Sequence, residues 1–240
     1  MWFSFAAGSV SGSKASTNRD AVYAAPTVLA VAEGLGEGGE LSGKVAVDAA
    51  RCFAAAGTSR NADEAALAIF QRAHRGLKAL AAEQGHAMQA SMTALVLAHG
   101  HLGLAHIGNT LAFMVRDGVM FQIAVGDRRC VLGMPFEMID APFMPCRSLY
   151  TEMDPDPAVS LRNVRAGDRY MVCSDGLGMP LSPETLHTVL SQERSPETAV
   201  ASLLALEPLS RHRDNATCIV ADVAVTDQDH SLAVWPRHLS

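Results

Sequence analysis

Apolar positions along the chain fall into two rhythms. Trp2 to Val10, Val22 to Ala24 and Val28 to Ala32 are short apolar-rich runs with turn residues Gly12 and Pro26 beside them, which predicts strands. From Ser42 to Ala56 the period lengthens. Val45, Ala49, Cys52 and Ala56 recur at helical spacing, so an amphipathic helix is expected there, closed by Gly57. Asn61-Ala62-Asp63-Glu64 reads as an N-cap with an acid three positions on. The helix it opens has Phe70, Ala73, Leu77 and Leu80 on one face and stops at Gly85.

The middle of the chain alternates differently. Met92 to Ala98, Leu102 to Ile107, Leu111 to Arg116 and Val119 to Ala124 are short strand-like runs separated by His99-Gly100-His101, Gly108-Asn109-Thr110 and Asp117-Gly118. Asp-Gly between two such runs is a two-residue hairpin signal, so an antiparallel meander is predicted. Gly126 to Pro157 carries Pro135, Pro142, Pro145, Pro155 and Pro157 and keeps no period, which predicts a long irregular surface segment. Ser160 to Val164 and Arg169 to Ser174 resume the strand pattern. Ser182-Pro183-Glu184 and Ser195-Pro196-Glu197 each place Ser at an N-cap, Pro at the first helical position and an acid in the first turn. A last strand should end near Val225, with 226–240 a loosely held polar tail. Two groups of antiparallel strands with helix pairs at 42–84 and 182–206 predict an α+β architecture, sheets packed together and helices outside. One domain over 1–225 is expected.

Composition changes this picture little. Apolar residues at 49% and charged residues at 18% are ordinary globular proportions, and a net charge of −6 does not suggest a nucleic-acid or anionic-membrane partner. Five cysteines are scattered without metal-type spacing, which predicts free thiols. Met1 to Ala7 lacks the basic start of a signal peptide, and no stretch reaches the roughly 20 apolar residues that cross a bilayer. A soluble cytoplasmic protein is expected.

Candidate chemistry comes from a phrase that occurs twice. Ala30-Val31-Ala32-Glu33-Gly34-Leu35-Gly36 and Val172-Cys173-Ser174-Asp175-Gly176-Leu177-Gly178 both run apolar strand, carboxylate, glycine-bounded turn. Asp214, in Arg213-Asp214-Asn215, precedes the apolar run to Val225. Three carboxylates delivered to strand ends are what a hard cation needs. Each also has a plainer reading, as the cap of a turn. A phosphate loop over Glu33 to Gly39 is disfavoured, because it lacks a lysine and carries further acids.

Taken in order, these segments resemble the metal-dependent protein phosphatases, the PPM or protein phosphatase type 2C family. Asn18-Arg19-Asp20 is similar to that family's Asn-Glu-Asp block, Ala32-Glu33-Gly34-Leu35-Gly36 to its Ala-Asp-Gly-Met-Gly block, Gly108-Asn109-Thr110 to its Gly-Asp-Ser hairpin, Ser174-Asp175-Gly176 to its Ser-Asp-Gly and Asp214-Asn215 to its Asp-Asn. The resemblance implies a four-layer αββα sandwich of two antiparallel sheets with a dinuclear Mn²⁺ or Mg²⁺ site at one end. It implies Asp20, Glu33, the Gly34 carbonyl, Asp175 and Asp214 as metal-site residues, and no catalytic side chain beyond the metal-bound water. The implied activity is hydrolysis of phosphoserine and phosphothreonine in a phosphoprotein, with an opposing Ser/Thr kinase as a signalling partner in a bacterial cell.

Several positions depart from the family pattern. Glu33 stands for the bridging Asp, Arg19 for an acid and Asn109 for the acid near an additional metal. Ala15 falls where the phosphate-binding Arg belongs, leaving Lys14 or Arg19 to contact phosphate. No proton-donating His is evident, since Leu35 occupies that place; His212 lies near Asp214 in sequence. The departures keep open a second reading, a weak or inactive pseudophosphatase that serves as a regulatory binding module.

Overall fold

A computed structural model describes residues 1–13, 17–57, 61–127, 147–206 and 214–225. Two antiparallel sheets lie face to face. The first holds β1 (Trp2–Val10), β11 (Ala216–Ala224), β10 (Arg169–Cys173), β6 (Leu111–Arg116) and β7 (Val119–Ala124), in that order. The second runs β2 (Asp20–Ala25), β3 (Val28–Leu35), β4 (Gln89–Ala98), β5 (His101–Ile107) and β9 (Ala158–Asn163), with β8 (Leu149–Tyr150) paired to β4. Helices α1 (Gly39–Ala56) and α2 (Ala62–Gln84) cover the second sheet, and α4 (Pro183–Gln192) and α5 (Pro196–Leu204) cover the first. This is the expected αββα sandwich.

Period-two alternation divides the central strands between two cores. Leu29, Val31, Leu95, Leu97, Leu102 and Leu104 from one sheet meet Phe3, Met114, Tyr170, Val172, Ile219 and Ala221 from the other, filling the space between the sheets. Their alternates face the helices: Ala30, Ala32 and Ala94 pack against Ala46, Val47 and Ala50 of α1 and Ile69, Phe70 and Ala73 of α2. Two half-buried arginine pairs tie down the end remote from the site. Arg116 forks onto Asp168 at 2.6 Å through both Nε and Nη2, and Arg169 forks onto Asp222 at 2.6 and 2.8 Å.

Some expectations need correction. The buried residues of α1 are Gly39, Ser42, Gly43, Ala46, Val47, Ala49 and Ala50; of the expected face Ala49 is buried and Val45 half-buried, while Cys52 and Ala56 are exposed, so the buried stripe is shifted and wider than spacing suggested. Its apolar face is made of small residues, which let it lie close to β3. Asn61 holds the N-cap position of α2 without a side-chain capping bond; the Ser182 and Ser195 caps form as expected. Inside the segment expected to be irregular, β8 adds to β4. The rest of that segment at 128–146 and the tail at 226–240 lie outside the described residues. The twin phrases are not equivalent: Glu33 lies within β3, whereas Asp175 follows β10 and opens the short helix α3 (Asp175–Gly178) where a turn was expected.

Candidate metal centre

One end of the layer between the sheets is polar. In β2 and β3 the inward alternates Ala24, Val22, Leu29 and Val31 are followed on the same face by Asp20 and Glu33, which are direct cross-strand partners. Ser91 pairs with Glu33, and Thr93 with His106, continuing that row across the second sheet. On the first sheet the matching positions are Ser9, Thr217 and Ser174. Thr217 Oγ1 lies 2.7 Å from Ser9 Oγ, and Thr217 N–H donates to Ser174 Oγ at 3.0 Å. A hydroxyl layer therefore separates the apolar core from the carboxylates.

Above it, Glu33, Asp175 and Asp214 converge, each offering an oxygen so that all three lie within 4.8 Å of one another. Glu33 comes from the second sheet, Asp175 and Asp214 from the ends of β10 and β11 in the first. Asp175 is buried and Asp214 exposed. Asn109, in the turn before β6, donates from Nδ2 to Asp175 Oδ2 at 3.4 Å, and its own N–H donates to Ser91 Oγ at 3.0 Å.

Asp20 stands beside this trio. Burial pushes its carboxyl up to about 6, and nearby Asp214 adds to that; the hydroxyls of Ser174 and Thr217 oppose it only in part. Its Oδ2 is enclosed and has no hydrogen-bond partner among the described residues. An enclosed acceptor without a donor, beside three converging carboxylates, fits a hard cation. All the side-chain donors are oxygens, the set that suits Mg²⁺ or Mn²⁺ rather than a soft metal.

Close backbone approaches fix these positions. A Cβ on Gly34 would stand 1.6 Å from the Gly39 carbonyl oxygen, and one on Gly176 would stand 1.9 Å from the Asn215 carbonyl oxygen. Gly34 N–H donates to the Arg19 carbonyl at 3.0 Å, and Arg19 N–H donates to Asn215 Oδ1 at 3.0 Å. The start of β2 is thus strapped to both β3 and the segment leading into β11.

Arg19 Cδ lies beside the start of α1: a Cβ built on Gly39 would stand 3.0 Å from it and 2.8 Å from the Gly34 carbonyl oxygen. The residue is exposed, and no ion pair engages it among the described residues. Lys14, Ala15 and His212 lie outside the described residues.

Of the described cysteines, Cys173 and Cys218 are buried and poorly disposed to ionise. Burial pushes the Cys218 thiol up to about 12 and that of Cys173 well above its usual value. His106, nearly enclosed, is lowered by burial against the opposing pull of Asp127. It is fixed by Thr93 Oγ1 at 2.8 Å on Nδ1 and the Val125 carbonyl at 3.0 Å from Nε2. Asn215, which the sequence reading did not single out as a site residue, emerges as part of the centre.

No family model matches the chain. Among known proteins, the chain is 35% identical to the serine/threonine protein phosphatase PstP of Mycobacterium tuberculosis, over 93% of this chain and 45% of that protein. It spans about half the length of the curated relatives it matches. A crystal structure of the Mycobacterium tuberculosis serine/threonine phosphatase PstP superposes with a TM-score of 0.81 at 29% identity, covering 93% of this chain and 99% of that one. The PstP catalytic domain in complex with two manganese ions gives a TM-score of 0.77 at 29% identity, covering 92% of this chain and 98% of that one.

Proposed function

We propose that this chain, which belongs to the metal-dependent protein phosphatase family (PPM, protein phosphatase type 2C) of bacterial type, hydrolyses phosphoserine and phosphothreonine in a phosphoprotein. The observation that carries the reading is the convergence of Glu33, Asp175 and Asp214, with Asp20 enclosed beside them.

Manganese or magnesium is the implied cofactor, two ions by analogy with the PstP catalytic domain. Glu33, Asp175 and Asp214 are the side chains to hold them, joined by Asp20 and the Gly34 carbonyl. Such ions acidify and orient a water for in-line attack on phosphorus and neutralise the phosphoryl oxygens. The chain's own residues do the positioning. Glu33 is held by the strand pairing of β3, and Asp175 by the start of α3, so neither carboxylate needs to move far to chelate. Arg19, at the rim along α1, is the charged group available to a substrate phosphate; Lys14 is a second candidate.

The functional unit is residues 1–225, acting in the cytoplasm in opposition to a Ser/Thr kinase. No helix among the described residues is long and apolar enough to cross a membrane. A phosphopeptide assay across a range of Mn²⁺ concentrations tests the activity. Turnover that rises and saturates with Mn²⁺, and that falls at least a hundredfold in Asp214→Asn, is expected. Absence of turnover at every metal concentration overturns the reading and leaves a binding module on the same fold.

A further inference from the structure

Both basic residues of α1 have an acid on their own helix. Lys44 Nζ meets Glu40 Oε1 at 2.6 Å, and Arg51 Nε meets Asp48 Oδ1 at 3.1 Å. On α2 the arrangement is different. Arg72, Arg75 and Lys78 follow one another at three-residue intervals, all exposed. The helical neighbours three and four positions from Arg72 are Ala68, Ile69, Arg75 and Gly76; those of Arg75 are Gln71, Arg72, Lys78 and Ala79. None of them is an acid, and like charges at this spacing repel along a helix. Acids are plentiful in a chain of net charge −6, yet no ion pair engages any of these three cations among the described residues.

The two arginines border a cavity. It opens between the helices with a volume of about 460 Å³, lined by Val45, Asp48 and Ala49 of α1 and by Arg72, Arg75 and Gly76 of α2. Its apolar lining is small. Ala49 is buried, and a Cβ on Gly76 would stand 2.8 Å from Val45 Cγ1. Asp48 is already engaged by Arg51. The groove therefore sets two guanidinium forks beside a shallow apolar floor. Carboxylates carried on a polypeptide use both, charge on the forks and stem carbons on the floor. A nucleic acid is disfavoured by the acidic balance of the whole chain.

We propose that this groove docks an acidic segment of the phosphoprotein substrate, away from its phosphorylated residue. The inference rests on the phosphatase reading above. Position on the fold sets the separation. α1 begins at Gly39, packed against Gly34 of the metal centre, and Val45 to Ala49 lie roughly 10–15 Å further along its axis. With the turn around the helix start added, acids roughly six to ten residues from the phosphoserine span both sites.

The test uses the whole chain and fluorescein-labelled peptides carrying a run of Glu at that spacing from a serine, with matched peptides carrying Gln or Lys instead. Anisotropy of the unphosphorylated peptides reads docking without catalysis. The Glu peptide is expected to bind at least tenfold more tightly than the Gln peptide and to weaken as KCl rises. The double variant Arg72→Glu with Arg75→Glu should lose that preference and take the Lys peptide instead, with an unchanged or higher melting temperature. With phosphoserine in the peptide and Mn²⁺ present, the same variant should raise KM for the Glu phosphopeptide at least fivefold, while kcat and p-nitrophenyl phosphate turnover hold within twofold. Equal binding of Glu and Gln peptides by wild type, or a variant that keeps the preference, overturns the proposal. So does an oligonucleotide of equal charge that binds as tightly as the Glu peptide, which would make the groove a general polyanion site. A wild type that prefers the Glu peptide but turns over no phosphate ester overturns the phosphatase reading, and the substrate role with it, while docking of an acidic segment stands.

Discussion

Asp20 shows how a site residue can work against the fold that carries it. With its carboxyl raised to about 6 by burial and by Asp214, the metal-free folded state holds a proton there that the unfolded chain releases near 3.8. The folded state therefore binds more protons between those values. This group's contribution to stability is greatest below 3.8, falls as pH rises toward 6, and stays low above it. Asp20→Asn should thus stabilise the metal-free protein at pH 7.5 by on the order of 2 kcal/mol. The gain should vanish near pH 4, as followed by denaturant melts at both values, while the same variant loses Mn²⁺-dependent turnover. At this scale the sequence was partly legible. Asp175 and Asp214 stand in local phrases that name them. The bond from Arg19 N–H to Asn215 and the enclosure of Asn215 depend on packing between segments 196 positions apart, and an Asn before a strand reads locally as no more than a turn.

Glycines set the distances between elements. Gly34 lets the start of α1 lie against β3, with no room for a methyl group before the Gly39 carbonyl. Gly36, two residues on, has φ +66° but open space around it. These are different constraints and predict different penalties. Gly34→Ala forces backbone apart at a cost of about 3 kcal/mol, lowering the melting temperature by about 10 °C. Gly36→Ala meets only the left-handed backbone cost of roughly 1–2 kcal/mol, or about 4 °C. Differential scanning calorimetry separates the two, and equal shifts would contradict this account. The face of α1 was only half legible for the same reason: Ala49 is buried as expected, but Cys52 and Ala56 are exposed. Gly43 and Ala46 carry little hydrophobic signal, yet their smallness is what fits that face to the sheet. Strands and Ser-capped helices were legible because alternation and capping are local; the burial of small residues is not.

Across the whole molecule, the candidate centre joins the two sheets, which are otherwise held by packing and a few hydrogen bonds such as Arg19 N–H to Asn215 Oδ1. Asp20 and Glu33 belong to one sheet, Asp175 and Asp214 to the other. A cation bound only by the folded state stabilises it by about 2.7 kcal/mol at a hundredfold excess over its dissociation constant. Saturating Mn²⁺ should therefore raise the melting temperature by roughly 5–10 °C, and Asp175→Asn should abolish most of that shift. Thermal melts with and without EDTA check this. The αββα order was legible because two strand groups and two helix pairs alternate along the chain. The convergence of the carboxylates was inferred from the family resemblance, since no local pattern tells which strand ends meet. Leu29, Leu95, Tyr170 and Ile219 fill the gap between those sheets, well behind the carboxylates. The chelate is in effect a caliper across that gap. Any core substitution that lets the sheets settle or slide would be registered as a change in cation affinity, so the grip on metal gauges interior order far from the metal itself.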